Sequence, residues 1–318
     1  MKTAVVAIGG NAILRAGQQA TFDNQMANLR ETCVHLAKLI KGGYDMVITH
    51  GNGPQVGNIL LQNELLRDDV PPMPIDVCVA ESQALLGYMI QQAMKEELEK
   101  LGMDKVVTCI LTRVLVDPDD SAFDNPTKPV GPYYSEEEAR EIGEERGWRF
   151  IEDLRRGGFR RVLPSPRPMD IIERGAIKRL VFGGEGQSEV VVAAGGGGIP
   201  VIRKKEGLKG VEAVVDKDLA ACVLASAIDE KLLLLLTDVD RVYLNFGKED
   251  QCPLDLVTAS EIEEYLAQGH FPPGSMGPKV EAAIEFLRGG GVKVIITMPE
   301  LLEKALEGRA GTHIVQGR

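Results

Sequence analysis

The sequence predicts an α/β fold: a three-layer αβα sandwich around a mostly parallel open sheet, with a small subdomain protruding from it. Two observations carry this expectation. Apolar, β-branched runs alternate along the chain with segments of helical periodicity, the pattern of parallel strands covered by helices on both faces. Three of those runs end in glycine clusters, the form of a strand-to-helix turn at the carboxyl edge of such a sheet. At 318 residues the chain can bury a large core and lies near the limit for one domain, so a single domain over 1–318 is expected, elaborated by an insertion.

The elements follow in order. "TAVVAIG" is the first strand, and Leu29, Cys33, Leu36, Ala37 and Ile40 then recur at helical spacing until Gly42-Gly43 stops the helix. "DMVITH" is a second strand leading into the helix "QVGNILLQNELL". A long helix through "VCVAESQALLGYMIQQAMKEELEKLG" and the strand "KVVTCILT" come next. From Asp117 to Pro168 the texture changes to proline and acid, with a short charged helix whose capping box runs from Ser135 to Glu138. This interval, 117–168, reads as a protruding subdomain with a minor core of Trp148, Phe150, Ile151 and Phe159, docked weakly because its apolar content is thin. The α/β pattern resumes with "VVVAAGGGGIPVI", the helix "KDLAACVLASAI" and the strand "LLLLLTDVD". A helix capped by Thr258 and Glu261, a helix with Pro278 near its start, the strand "VKVIITM", the helix "PELLEKALEG" and the strand "THIV" complete the chain.

Charge and cysteine usage exclude several classes. With 36 basic and 47 acidic residues, net −11, the chain lacks the Lys/Arg excess of a dedicated nucleic-acid or membrane-surface binder. A few lysines inside a cleft can still hold a small anion. The five cysteines are scattered without metal-ligand spacing, as in a reduced cytoplasmic protein. "MKTAVVAIGGN" is interrupted by glycines, which suits a buried strand rather than a signal peptide, and no apolar run approaches the ~20 residues of a membrane span. A soluble, cytoplasmic protein is expected.

The glycine turns "AIGGNAI", "THGNGPQVG" and "AAGGGG" present bare backbone at one sheet edge, a setting for phosphate-like anions. A single such turn is as readily explained by tight packing; three converging favour anion binding. No GxxxxGK[ST] occurs, and "GNGPQVG" is one residue longer than the dinucleotide fingerprint, so an NAD(P)-dependent dehydrogenase is a weak alternative. Lys217 and Lys279 lie at helix starts, where a cation opposes the helix dipole unless an anion sits beside it. With Lys128 in "NPTKPVGP", they suit phosphoryl transfer, which needs point charges and N–H groups more than covalent chemistry. Asp216 and Asp218 flank Lys217 and either hold lysines, meet Mg²⁺ or cap the helix. Of the histidines, His35 lies on a helix core face, His270 and His313 are peripheral, and His50 adjoins the glycines in a structural role. No GxSxG elbow or metal-ligand spacing appears, and an acceptor that is already an anion needs no base.

The blocks "AIGGNA", "THGNGPQVGN", "PIDVCVAESQALLGY", "DNPTKPVGP", "AAGGGGIPV", "GVEAVVDKDLAA", "LLLLTDVDRVY" and "FPPGSMGPKVEAA" together resemble the carbamate kinases of the amino-acid kinase fold, nearly end to end. The resemblance implies interconversion of ATP and carbamate with ADP and carbamoyl phosphate, with Mg²⁺ carried by the nucleotide and no protein residue assigned as its ligand. It implies that Gly9, Gly10, Asn11, Gly51, Asn52 and Gly53 cradle the phosphoryl group and carbamate. It has Lys128 reach the acceptor or the phosphoryl group, Lys217 and Lys279 neutralise the ATP phosphates and the charge in flight, and Asp218 orient the lysines. Thr237, Asp238, Tyr243 and Met276 would line the nucleotide pocket, and a homodimer through the outer helices would form. The fold's other members usually carry a lysine in the first glycine turn; this chain has none, which fits Lys217 in that role. A non-catalytic nucleotide sensor on the same fold is the alternative of a different class.

Overall fold

The strand Lys2–Ile8 sits mid-sheet because both of its faces are apolar: Val5 and Ala7 point into one core, Ala4, Val6 and Ile8 into the other, all fully buried. The structure is a computed structural model that describes residues 2–15, 17–152, 157–183, 188–272 and 274–317. Its main sheet has eight strands, in the order Leu256–Thr258, Thr312–Val315, Lys293–Thr297, Leu232–Leu236, Lys2–Ile8, Tyr44–His50, Val190–Val192, Val107–Cys109. The last six run parallel, while Thr312–Val315 pairs antiparallel with Lys293–Thr297 and reverses that edge.

Helices cover both faces. Phe22–Lys41, Ile75–Lys100 and Leu302–Leu306 pack on one side; Arg174–Phe182, Lys217–Ala227, Ala259–Ala267 and Met276–Arg288 pack on the other. The expected three-layer sandwich is therefore observed. Both expected capping boxes form, at Ser135 with Glu138 and at Thr258 with Glu261. Among the described residues no helix is long and apolar enough to cross a membrane.

Two elements differ from expectation. The run "KVVTCILT" contributes only Val107–Cys109 to the sheet, and "VVVAAGGGGIPVI" splits, Ile199–Lys204 leaving for a second, four-stranded sheet with Gly207–Gly210, Arg113–Val116 and Pro168–Ile171. Left-handed Ala194 (φ 52°) and three successive positive-φ glycines at 196–198 turn the chain between the two sheets, a path other residue types rarely take.

Within the interval 117–168, Lys128–Tyr134, Phe159–Leu163 and Arg149–Glu152 form a separate antiparallel sheet carrying the helix Glu136–Arg146. Its aromatic core is shallower than expected: Ile151 is 41% exposed, while Trp148 packs against Phe150 with ring centroids 6.5 Å apart and carries the Arg161 guanidinium 3.7 Å from its ring centre. Its docking is firmer than its composition suggests. Val130 and Leu163 join Val56, Leu60 and Ile75 in a buried seam against the helix Gly53–Leu65, and Arg146 pairs with Glu64.

Candidate active site

At the carboxyl ends of the central strands lies a cavity of about 550 Å³, and all fourteen residues singled out from the sequence line it. These are Gly9, Gly10, Asn11, Gly51, Asn52, Gly53, Lys128, Lys217, Asp218, Thr237, Asp238, Tyr243, Met276 and Lys279.

The glycines divide into two kinds. A Cβ on Gly9 would stand 2.9 Å from the Leu236 carbonyl oxygen, and one on Gly51 would press 3.2 Å from Cδ of Lys217, so these two serve close packing. A Cβ on Gly10 or Gly53 would meet no protein atom within 4 Å: there the bare backbone faces open cavity. Behind Gly53 the helix Gly53–Leu65 starts without a side-chain cap, and Asn52 before it donates through Nδ2 to Ser82 Oγ at 2.8 Å. Its first N–H groups remain available to an anion.

The third glycine turn departs from the expectation of an anion cradle. Gly195, Gly196 and Gly197 are buried, and Cβ atoms there would fall 2.3 Å from His50 Nε2, 2.1 Å from Asn52 Nδ2 and 2.2 Å from the Val215 carbonyl oxygen. The turn is a packing device that holds His50, Asn52 and the approach to Lys217. His50 is buried in it, and its Nδ1 donates to the Gly51 carbonyl at 3.0 Å. Burial lowers its pKa to about 4, so at neutral pH it is an uncharged structural group. His313, expected at the periphery, is 7% exposed, yet it sits on the outer strands away from the cavity.

The cations converge. Lys217 opens the helix Lys217–Ala227 and Lys279 lies in the first turns of Met276–Arg288; both reach one carboxylate, Asp218, through Oδ1 at 2.6 Å and Oδ2 at 2.9 Å. Lys279 and Asp218 are buried and Lys217 is nearly so, with side chains 16%, 9% and 5% exposed in the order Lys217, Lys279, Asp218. Burial disfavours charge on each. It prevails at Lys217, whose pKa falls below the ordinary lysine value in spite of Asp218. At Lys279 it is outweighed by attraction and hydrogen bonding to Asp218, and the pKa rises. At Asp218 it is outweighed by the two lysines, which hold the carboxyl at about 2. One buried carboxylate thus serves two ammonium groups, leaving positive charge beside the open glycine backbone.

Asp216 caps the same helix and accepts from Lys128 Nζ at 2.8 Å, so it both caps and holds a lysine. Among the described residues no group of three or more His, Cys, Asp or Glu could hold a metal ion. Asp238 accepts from Asn11 Nδ2 at 2.7 Å, tying the first glycine turn to the "TDVD" turn. Phe246, Phe271 and Arg241, which sequence reasoning missed, line the cavity together with Tyr243 and Met276. The Tyr243 and Phe246 rings lie 5.8 Å apart, an apolar wall suited to a planar ring system. The aromatic spacing in "VYLNF" was the available signal.

Residues 2–298 match the amino acid kinase family. The chain is 48% identical over 312 residues to the carbamate kinase of Pyrococcus horikoshii, covering 98% of each, and 45% identical to that of Trichomonas vaginalis over 98% of each. The carbamate kinase of Giardia lamblia, solved bound to AMP-PNP, superposes with a TM-score of 0.92 at 43% identity over 99% of both chains. A structure from Aeropyrum pernix K1 superposes at 0.94 with 44% identity over 99% of this chain and 100% of that one. The chain belongs to the amino acid kinase family, in the group of its carbamate kinases.

Proposed function

We propose that the protein transfers a phosphoryl group between ATP and carbamate, interconverting them with ADP and carbamoyl phosphate. The observation that carries this reading is the pair Lys217 and Lys279 on one buried carboxylate, beside the open backbone of Gly10 and Gly53. Phosphoryl transfer passes through a loose transition state with charge spread over the equatorial oxygens, so positioning and fixed positive charge do most of the catalysis. The lysines meet that charge, and Asp218 fixes where they stand. Gly10 and Gly53 leave room for oxygens to approach backbone N–H groups, with Asn11 and Asn52 beside them. The adenosine end of the nucleotide lies against Tyr243 and Met276, near Thr237 and Asp238, which line the cavity; that the Giardia relative is bound to AMP-PNP supports a nucleotide as ligand. Carbamate is already an anion at neutral pH, which agrees with an uncharged His50 and with no histidine lining the cavity among the described residues. Mg²⁺ carried by the nucleotide would neutralise part of the phosphate charge.

In this reading 1–318 is one domain and 117–168 is its lid, closing the cavity and bringing Lys128 to the acceptor. The subunits pair as a homodimer in the cytoplasm; exposed Leu85 and Tyr88 on the outer face of the helix Ile75–Lys100, with Leu111 nearby, support an interface there. The nicotinamide and sensor alternatives lose their ground once the chain stands among kinases.

The test is acceptor selectivity. With ATP, product analysis should show phosphorylation of carbamate and none of acetylglutamate, aspartate or isopentenyl phosphate, because the anion contacts sit in short turns that suit a very small acceptor. Comparable turnover of any larger acceptor would overturn the substrate assignment.

A further inference from the structure

We propose that Asp216 is a positioning residue for the transfer: it fixes Lys128 to the start of the helix that carries Lys217 and Asp218. The inference rests on the reading of Lys128 as the acceptor's lysine and says how that lysine is held.

Asp216 divides its carboxylate between two tasks. Oδ1 accepts from the backbone N–H groups of Asp218 at 2.9 Å and Leu219 at 3.5 Å, and Oδ2 accepts from Lys128 Nζ at 2.8 Å. The first task pins the side chain, because an N-cap residue is held by the helix it starts and its negative charge suits the positive helix end. The second transmits that fixed position to Lys128, which belongs to a different sheet and lies 88 residues earlier. A free lysine side chain must be ordered from many rotamers, at an entropic cost. Lys128 is 42% exposed, so packing alone does not order it, whereas Asp216 is only 13% exposed and well placed to do so. Pro126 and Pro129 stiffen the backbone on either side, leaving the side chain as the mobile part.

Binding Asp216 does not consume Lys128. An ammonium has three N–H donors, and one bond to Asp216 leaves two for an acceptor oxygen. The residues Asp216-Lys217-Asp218 therefore reference three ammonium groups to one helix start: Lys128 through Asp216, Lys217 by its place in the chain and through Asp218, and Lys279 through Asp218. The pairing also joins the inserted sheet to the catalytic helix at the cavity itself.

Asp216→Asn separates the two tasks, since asparagine caps a helix as well as aspartate does but offers Lys128 no charge. With carbamoyl phosphate and ADP, its turnover should fall about tenfold or more, with KM for ADP within about twofold of wild type and an unchanged melting temperature. Lys128→Ala should fall at least as far, and Asp216→Asn combined with Lys128→Ala should be no slower than Lys128→Ala alone. Asp216→Ser, which also caps, repeats the test should the asparagine variant fold poorly. Full turnover in Asp216→Asn beside an impaired Lys128→Ala, or effects that multiply in the double variant, would overturn this inference alone. A fully active Lys128→Ala enzyme would remove the role of Lys128 and this inference with it.

Discussion

Lys217→Ala and Lys279→Ala each lower turnover by on the order of 10²–10³-fold, the loss typical of removing one oriented group that stabilises transition-state charge. The fold survives either change for a reason visible in the cluster. Asp218 holds two ammonium groups, so deleting one leaves a balanced ion pair rather than a buried orphan charge. The vacated space opens on the cavity, so the truncated side chain leaves no sealed void. Asp218→Ala should behave differently, because it strands two lysines against each other and costs stability as well as turnover. Steady-state rates with both substrates saturating, read beside thermal melts, check the contrast. Near-normal turnover in either lysine variant would remove that lysine from the mechanism.

Gly197→Ala is expected to destabilise the protein by about 3 kcal/mol or more, combining the strain of a side chain in the left-handed region with overpacking. The residue has φ 91°, and its new Cβ would stand 2.2 Å from the Val215 carbonyl oxygen, a backbone atom that can retreat only by moving the residue before Asp216. A fall in melting temperature on the order of 5–10 °C follows for a domain of this size, with activity lost alongside. Gly102→Ala is the control: its φ is 71°, but nothing lies within 4 Å of the added Cβ. Only the conformational term, about 1 kcal/mol, applies there. Equal melting temperatures for the two variants would show that the third glycine turn is not the packing device described.

Much of the site is legible in the sequence because its signals are local. A strand that ends in glycine, or a lysine set at a helix start, can be recognised within a dozen residues, and a parallel sheet then brings every such turn to one edge. What the sequence hides is which distant partner each residue meets. Nothing near Lys128 points to Asp216, and nothing near Asn11 points to Asp238, 227 residues on. The glycines of "AAGGGG" look like those of "THGNGPQVG", yet the first set is buried against His50, Asn52 and Val215, while Gly53 opens on the cavity. Burial by another segment decides between those roles. The reversed strand Thr312–Val315 is hidden for the same reason, since its apolar pattern fits either direction and only its neighbour fixes which. The shallow aromatic core of the inserted sheet was misjudged at Ile151 because alternation along Arg149–Glu152 does not tell which face the body covers.

The central claim is that this cavity moves a phosphoryl group between carbamate and ADP by positioning and electrostatic stabilisation, without a side-chain base. The most direct measurement is ATP formation from carbamoyl phosphate and ADP with purified protein, followed across pH 6 to 9. ATP should form in stoichiometric amounts, and below pH 7 the rate should follow the phosphate ionisation of ADP rather than a histidine of the protein, since His50 is uncharged throughout that interval. Absence of ATP formation while ADP binds normally would contradict the account.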